Sequence, residues 1–298
     1  MTVKFKKIQY RKKTNDAVVA ACFLAPSLVG FMIFFIIPFF AGLYYSFLDG
    51  PVGGAFVGLS NYVDLLSNKI FQRAAANTII FSLRAVPLCM ILSLLLAVAL
   101  SKNFKGQSFF RTIFVTPLVV PVASVALVWR IIFDQNGSLN FIMNGLGFAA
   151  ADWMKTDYAG IIIVIMYVWK NAGYNMILFL AGLANIPSQY YEAADIDGAG
   201  SVKKFFKITL PLFAPTAFFV FIMCLVNSFK VFRETYILAG AYPHESAYLL
   251  QHYMNNVFGS LDYQKLTSAA FIMAAAIIAI AMIFYKKSKS TEDYVRGE

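Results

Sequence analysis

Charged residues are scarce in this chain. Only 13% of its 298 residues are Asp, Glu, Lys or Arg, whereas about a quarter is usual in a soluble domain. Hydrophobic residues make up 60%, so much of the surface is not expected to face water. The net charge of +10 does not indicate nucleic-acid binding, because the Lys and Arg residues are spread between apolar runs.

Cysteine and histidine are also rare, which limits metal and thiol chemistry. The three cysteines, Cys22, Cys89 and Cys224, lie in apolar runs without the spacing of a disulfide or metal site. We interpret them as small packing residues. His244 and His252 are isolated, and no nucleophile stands near a base in a recognisable pattern. The sequence therefore predicts neither a metal site nor a catalytic site.

A nucleotide-binding motif is missing, and the N-terminus lacks the features of a processed signal. No G-x-x-x-x-G-K-[ST] sequence occurs, so we expect no cofactor on this chain. Residues 19–22 resemble a lipoprotein cleavage box, but only about five apolar residues precede them, where a signal needs about 7–15. We predict neither a lipid anchor nor a cleaved signal.

Long apolar runs are abundant, and each is long enough to cross a bilayer. A helix needs about 20 apolar residues for this. The sequence predicts an all-α polytopic membrane protein with about six spans, at residues 17–46, 78–100, 112–133, 158–183, 210–229 and 266–285. The transmembrane domain is expected over residues 17–285, between a terminal segment at 1–16 and a tail at 286–298.

The basic residues predict the orientation of these spans, because cytoplasmic loops carry an excess of Lys and Arg. Sixteen of the 25 fall on one side: Lys4, Lys6, Lys7, Arg11, Lys12, Lys13, Lys102, Lys105, Arg111, Lys203, Lys204, Lys207, Lys286, Lys287, Lys289 and Arg296. Both termini are therefore predicted to be cytoplasmic. The outward segments, 48–77, 134–157 and 239–265, either anchor the interface through aromatic residues or form a docking surface for an external protein.

The most informative segment is the predicted cytoplasmic loop at residues 186–209. It reads as a short helix, a glycine break, a second short helix and then a span. Gly198 and Gly200 allow a sharp turn, and Ser201 can cap the next turn. A plain connector is the alternative to a partner-docking element. The candidate docking residues are Tyr190, Tyr191, Glu192, Ala193, Ala194, Asp197, Gly198 and Gly200.

This loop resembles the EAA loop of binding-protein-dependent ABC importer permeases. The matching residues are Glu192-Ala193-Ala194, Asp197-Gly198-Ala199, Ile208 and Leu210-Pro211. Residues 56–62, FVGLSNY, resemble an outward segment of carbohydrate-uptake permeases, and residues 109–133 resemble their third span. The chain is thus similar to the six-span sugar permeases of the maltose type, which have the type I importer fold and lie in the prokaryotic plasma (inner) membrane.

The resemblance implies a set of partners and a mechanism. The loop helix would dock on a cytoplasmic ATPase, which binds the ATP and Mg²⁺. Two such ATPases and a second homologous permease would complete the complex, and an extracytoplasmic binding protein would deliver the sugar. Closure of the ATPases would switch the permease pair between inward- and outward-facing states. Lipid is the other expected contact.

Polar residues within spans 4 and 5 are candidates for a sugar path, because polar groups inside a membrane usually face a cavity or a partner. By resemblance to maltose-type permeases, Tyr174, Asn227 and Ser228 fall where substrate contacts occur. Their neighbours Lys170, Asn171 and Lys230 join them as weaker candidates. The alternative is interhelical hydrogen bonding. Lys230 and Arg233 can also extend outward to the interface, and no role is assigned to Arg84.

Two other functions remain open from the sequence. One is an ABC permease for another solute, such as glycerol phosphate, an amino acid or a metal complex, since Lys170 and Lys230 would suit an anion. The other is a secondary transporter, which should show titratable acids or ion-binding half-helices near the membrane centre. No clear set of such acids is visible in the spans.

Overall fold

The computed structural model describes the backbone of residues 13–50, 53–102 and 104–296, and the side chains of residues 18–50, 53–102 and 104–286. Most of the predicted basic N-terminal segment, with Lys4, Lys6, Lys7, Arg11 and Lys12, lies outside the described residues. Within the described part the chain is almost entirely helical. A single isolated antiparallel bridge there joins Leu48 and Phe56.

The described residues form fourteen α-helices in sequence. These are α1 (Lys13–Phe31), α2 (Ile37–Tyr45), α3 (Ser60–Ser67), α4 (Lys69–Ala99), α5 (Gln107–Val119), α6 (Val122–Phe133), α7 (Ser138–Gly145), α8 (Ala159–Ala184), α9 (Ser188–Ile196), α10 (Ser201–Lys204), α11 (Leu210–Phe229), α12 (Arg233–Ala239), α13 (Leu250–Gly259) and α14 (Tyr263–Arg296). Short π-helical segments, Met32–Ile36 and Phe205–Thr209, join α1 to α2 and α10 to α11. The all-α fold predicted from the apolar runs is confirmed.

Five helical segments are long and apolar enough to cross a membrane, and the count becomes six if a bent pair is taken as one span. That pair is α5 with the segment beginning at α6, and the two helices meet at 96°. The third predicted span, residues 112–133, is therefore not one straight helix. Its break lies at Val120 and Pro121, both extended, because a residue before proline is pushed out of the α region.

Helix α4 begins nine residues before the second predicted span. Its first turns contain the polar residues Lys69, Gln72 and Arg73, which an apolar run does not include. Asn68 starts the helix there by accepting hydrogen bonds from the backbone N–H groups of Ile70 and Phe71 at 2.8 and 3.1 Å. Such capping satisfies donors that the first turn leaves unpaired, so the helix extends beyond its apolar stretch.

Helix α8 lies at the centre of the bundle, between α4, α5 and α11. The rings of Phe81 and Tyr167 are 5.5 Å apart, and those of Phe179 and Phe213 are 5.1 Å apart. Phe81 and Cys89 of α4 contact Tyr167 and Asn175 of α8, so residue numbers rise in the same direction along both helices. Along α11 the order is reversed, because Tyr167 contacts Cys224 and Phe179 contacts Phe213. α4 and α8 are therefore parallel, and their C-terminal ends share one end of the bundle, here called the loop end.

A polar contact joins these three helices in the core. The side-chain amide of Asn175 donates towards the thiols of Cys89, at 3.3 Å, and Cys224, at 3.0 Å. Both cysteines are free and buried, as predicted for packing residues. Cys22 of α1 is also free, but it is exposed. The prediction of a packing residue is therefore wrong for Cys22, because the rest of this chain does not cover α1.

Glycine allows α5 and α8 to approach closely. A Cβ atom at Gly173 would overlap the backbone carbonyl oxygen of Phe114 on α5. A Cβ atom added at Gly182 would likewise lie only 2.5 Å from the side chain of Thr216 on α11. Because the obstacle at Gly173 is backbone, a larger residue there must separate the two helices. Small residues have this role in many membrane bundles.

The end of the bundle opposite the loop end is closed by α3 and α13, with Leu65, Phe71, Leu250 and Tyr253 in a common buried cluster. His252 of α13 is fully buried there, between the rings of Phe232 and Tyr248. Burial lowers the pKa of His252 from 6.5 to about 4. The imidazole is therefore neutral in the folded protein at pH values where it is charged in the unfolded chain.

The substitution Gly173→Ala should destabilise the bundle. Overpacking a close helix contact costs about 1–3 kcal/mol, so the thermal midpoint of the purified protein in detergent should fall. The matched control is Gly30→Ala in α1, where an added Cβ meets no atom within 4 Å. Equal midpoints for the two variants would contradict the close α5–α8 contact.

The stability of the protein should fall as the pH decreases from about 6.5 to about 4, the window between the unfolded and folded pKa values of His252. Stability falls with decreasing pH because the unfolded state binds a proton on His252 in this range and the folded state does not. Thermal midpoints across this range measure the effect. His252→Gln should flatten the slope, whereas His244→Gln should leave it unchanged; identical slopes in both variants would refute the assignment.

Candidate functional site

A cavity of about 260 Å³ opens where helix α11 ends. α11 stops at Phe229, and α12 starts at Arg233 after a short non-helical connection. This break leaves room beside the middle of α8 and the end of α5. The cavity is lined by Leu118, Ile163, Met166, Tyr167, Lys170, Asn171, Asn227, Lys230, Val231 and Glu234. We call it the binding cavity.

An ion pair between Lys170 and Glu234 lies in the wall of the binding cavity. It joins α8 to α12, and its side chains are only 18% and 16% exposed. Removing two charges from water is costly unless they neutralise each other. The pair therefore allows both charges to remain beside the cavity, where they offer a donor and an acceptor to a polar solute.

Lys170 is deep along its helix. Eleven residues separate it from Ala159 and fourteen from Ala184, which correspond to about 16 Å and 21 Å of helix. An ionisable group so far from both ends of a membrane helix usually faces a cavity or a partner and serves a function. The structure provides both, because Lys170 faces the cavity and contacts Glu234.

Two amide side chains, Asn171 and Asn227, line the same cavity from facing helices. The Asn171 amide nitrogen donates to the backbone carbonyl of Tyr167 at 2.8 Å, and this contact orients the side chain. Its carbonyl oxygen remains an acceptor. Lys230 follows the end of α11 and adds an exposed ammonium group at the cavity. The cavity therefore combines donors and acceptors within one small volume.

Four of the six predicted path residues, Lys170, Asn171, Asn227 and Lys230, come together in this cavity. Ser228 does not: its hydroxyl oxygen is buried 2.8 Å from that of Ser82 on α4 and 2.7 Å from the Leu225 carbonyl. The interhelical alternative describes Ser228 in this structure. Tyr174 is half-buried on α8 and lies outside the cavity lining.

Sequence reasoning missed Glu234. The residue follows the fifth predicted span by five positions, so a search for charges inside apolar runs did not include it. α12 brings this one carboxylate into the wall of the cavity, where it pairs with Lys170. Asn227 and Lys230 could have pointed to Glu234, because these polar residues mark the end of the apolar helix shortly before it.

The predicted docking loop has the expected order of helix, turn and helix. Within α9, Tyr190 and the patch Glu192-Ala193 are exposed, and Ala194 is half-buried. Asp197 follows the helix end, and Gly198 has a φ of +69°, which favours glycine. Gly200 has a negative φ, with φ −67° and ψ 162°, unlike Gly198. Ser201 is the first residue of α10 and therefore does not cap that helix.

Two side-chain contacts hold the parts of this loop together. The Tyr191 hydroxyl lies 2.9 Å from that of Thr209, immediately before α11. Lys204 forms an ion pair with Asp195 at 2.6 Å, which joins α10 to α9. The first contact joins α9 to the residue that precedes α11, and α11 carries Asn227 near its other end.

Three apolar side chains of the loop are exposed. Ile196, Val202 and Phe206 are 88%, 73% and 60% exposed. Val202 and Phe206 were not among the predicted docking residues, because they lie beyond the glycine turn.

Breaking the ion pair in the cavity wall should destabilise the protein. Lys170→Met and Glu234→Gln should each cost about 1–3 kcal/mol, less than a fully buried pair, and their effects should not add in the double variant. Thermal midpoints of the four proteins give this coupling. Lys155→Met, which removes an exposed lysine from its pair with Asp152, should leave the thermal midpoint nearly unchanged. Additive effects at Lys170 and Glu234 would argue against the pair.

Comparisons with known proteins agree with this architecture. A chain of an alginate-importing bacterial ABC transporter has the same fold, with a TM-score of 0.82, 24% identity, and coverage of 94% of this chain and 98% of that one. A probable ABC transporter permease of Bacillus subtilis, YesP, is 31% identical over 97% of this chain and 96% of its own length.

Relatives with named solutes are also similar. The arabinooligosaccharide permease AraP of Bacillus subtilis is 35% identical over 72% of this chain and 70% of its own length. The sn-glycerol-3-phosphate permease UgpA of Yersinia pestis is 31% identical over 88% and 90%. Residues 89–287 match the family described as binding-protein-dependent transport system inner membrane component. The chain is a multi-pass membrane protein that belongs to this family of ABC importer permeases.

Proposed function

We propose that this chain is the transmembrane permease subunit of an ATP-driven importer for a sugar or oligosaccharide. The observation that carries the proposal is the binding cavity, where Lys170, Asn171, Asn227 and Glu234 place donors and acceptors around one space. Sugar hydroxyls need both kinds of partner. Relatives named for arabinooligosaccharides and for sulfoquinovosyl glycerol favour the same class of solute.

The loop end is proposed to face the cytoplasm, with both termini on that side. The excess of Lys and Arg there favours this orientation. In this arrangement Ile196, Val202 and Tyr190 offer an exposed apolar surface to a separate ATPase subunit. The ATPase would bind ATP and Mg²⁺ and supply the energy. The ties from Tyr191 to Thr209 and from Asp195 to Lys204 would pass its movement to α11.

A second homologous permease, a pair of ATPases and an extracytoplasmic binding protein complete the proposed complex. The relative solved with its solute is described as an alginate transporter in complex with a periplasmic protein that holds an alginate pentasaccharide. In this chain the opposite end of the bundle would receive such a protein. The α1–α2 segment has no buried residue in α2, which leaves it open to lipid or to the second permease.

A phosphorylated polyol is the second candidate solute. Lys230 adds a positive charge to a cavity in which Glu234 already neutralises Lys170, so an anionic group would find a partner. Relatives named for sn-glycerol 3-phosphate also favour it. The neutral sugar remains the leading proposal because the two asparagines and the ion pair provide most of the polar groups.

Reconstitution would separate the candidates. The complex purified through this chain, with its binding protein, is placed in proteoliposomes and offered neutral oligosaccharides, acidic oligosaccharides and sn-glycerol 3-phosphate. We expect sugar uptake that requires internal ATP and the binding protein. Uptake of sn-glycerol 3-phosphate alone would replace the sugar by the second candidate. Uptake driven by an ion gradient without the ATPase would refute the ABC mechanism.

Glu192→Lys and Gly198→Pro should impair transport while the protein still inserts in the membrane. The first reverses a charge on the docking helix, and the second cannot adopt the positive φ of the turn. Uptake and ATPase co-purification should each fall at least about tenfold, equivalent to 1.4 kcal/mol. Glu192→Gln and Gly200→Ala are the mild controls. Wild-type values for both severe variants would exclude the docking assignment.

A further inference from the structure

The segment between α6 and α8 is held in one conformation by a buried asparagine of α7. Asn140 is buried, and its amide nitrogen donates towards the backbone carbonyls of Asp134, Gln135 and Ala151 at 3.2, 2.9 and 2.7 Å. Its oxygen accepts from the Ala151 N–H at 3.1 Å and from the Trp153 indole N–H at 2.9 Å. A fully satisfied buried polar group rigidifies its surroundings, so α7 has one defined face towards the bundle.

The opposite face of α7 is apolar and uncovered. Phe141, Ile142 and Leu146 are 82%, 57% and 68% exposed, and at 3.6 residues per turn their mean direction is opposite to that of Asn140. Phe148, just beyond the helix, is exposed as well. No Asp, Glu, Lys or Arg occurs at residues 135–151. A patch of this kind indicates contact with another protein or with a membrane.

α7 lies at one boundary of the membrane. The 26 residues of α8 extend about 39 Å, more than the hydrocarbon core of about 30 Å, so both of its ends reach the headgroup region. The first residue of α8, Ala159, is at the end of the bundle opposite the loop end. There the rings of Trp153 and Tyr158 are 5.4 Å apart. Because Asn140 bonds to Trp153, α7 is held at the same level.

The span that leads into α7 is also uncovered and apolar. On α6, Leu127 and Ile131 are exposed, so the exposed apolar surface continues along the chain into α7. The other face of α6 packs on α12 through Trp129 and Leu238. α7 is therefore joined, through α6, to the helix that carries Glu234.

The residues around α7 follow the order of layers at a membrane surface. The exposed face of the helix is apolar, the aromatic rings of Trp153 and Tyr158 come next along the chain, and the charges of Lys155 and Asp157 lie among them with side chains 83% and 97% exposed. Trp and Tyr are enriched where hydrocarbon meets water. This order matches lipid, and a protein partner does not require it.

We propose that α7 is an interfacial anchor, which lies along the membrane surface opposite the loop end and inserts Phe141, Ile142, Leu146 and Phe148 among the lipid acyl chains. Helices of this kind bury an apolar face about 5–10 Å into the boundary between headgroups and acyl chains. Eight residues bind weakly alone, but Asn140 orients this helix in advance, and preorganisation lowers the cost of binding. The absence of charge points to hydrocarbon, with no preference for an anionic headgroup.

A protein partner is the competing occupant. A binding protein that associates reversibly would leave four large apolar side chains in water whenever it departed. Protein interfaces also have a polar rim, and residues 135–151 provide no charged group for it. Lipid covers the same side chains in every state of the transporter.

Spin-label accessibility in lipid nanodiscs tests the anchor. The complete importer is used with Cys22→Ser as background, since Cys89 and Cys224 are buried, and a nitroxide is attached at Phe141→Cys or at the control position Lys155→Cys. Oxygen concentrates in lipid, whereas a water-soluble nickel chelate stays outside. The ratio of oxygen to nickel collisions should be at least about fivefold higher at residue 141 than at residue 155, because moving a polar chelate into an apolar medium is costly.

Three other results would overturn the anchor. Frequent collisions with both reagents at residue 141 would place α7 in water. Few collisions with either reagent, together with an immobilised label, would mean that the second permease covers the face. Loss of both collision rates on adding saturating binding protein would make the face a docking site. Leu146→Cys should behave like Phe141→Cys, and a monodisperse complex for each variant excludes a folding defect.

Discussion

The close contact of α5 with α8 at Gly173 determines much of this structure. Because glycine has no side chain, the backbone of Phe114 can lie directly against α8. This contact fixes the register of the two helices. It places Leu118 beside Lys170 at the binding cavity and Val115 beside the level of Tyr174. The bend at Pro121 then turns α6 away from the line of α5. One glycine thus sets which residues of α5 face the binding cavity.

The second constraint is electrostatic. A lysine near the middle of a membrane helix needs a partner or water, and Glu234 meets this need because α11 ends at Phe229 and α12 turns back towards α8. The break in the helix and the ion pair therefore depend on each other. Together they keep polar groups around a space that would otherwise be filled by apolar side chains, which is the requirement for a solute site inside an apolar bundle.

The loop connects this site to the outside of the bundle. Tyr191 and Thr209 join α9 to the start of α11, and α11 carries Asn227 and Ser228 near its far end. Ser228 packs against Ser82 on α4, so the far end of α11 is held to the central helices. Ser228 thus belongs to the packing of the bundle and not to the cavity lining.

The sequence alone determined the helical class, the apolar segments and the helix–turn–helix order of the loop at residues 186–209, because hydrophobic run length and glycine-marked turns are local properties of the chain. It also selected Lys170, Asn171, Asn227 and Lys230, since polar residues stand out in apolar runs. It did not determine the bend at Pro121, the early start of α4 at Asn68 or the pairing of Lys170 with Glu234. Those depend on which helices become neighbours, and only the tertiary structure decides contacts between residues 64 positions apart.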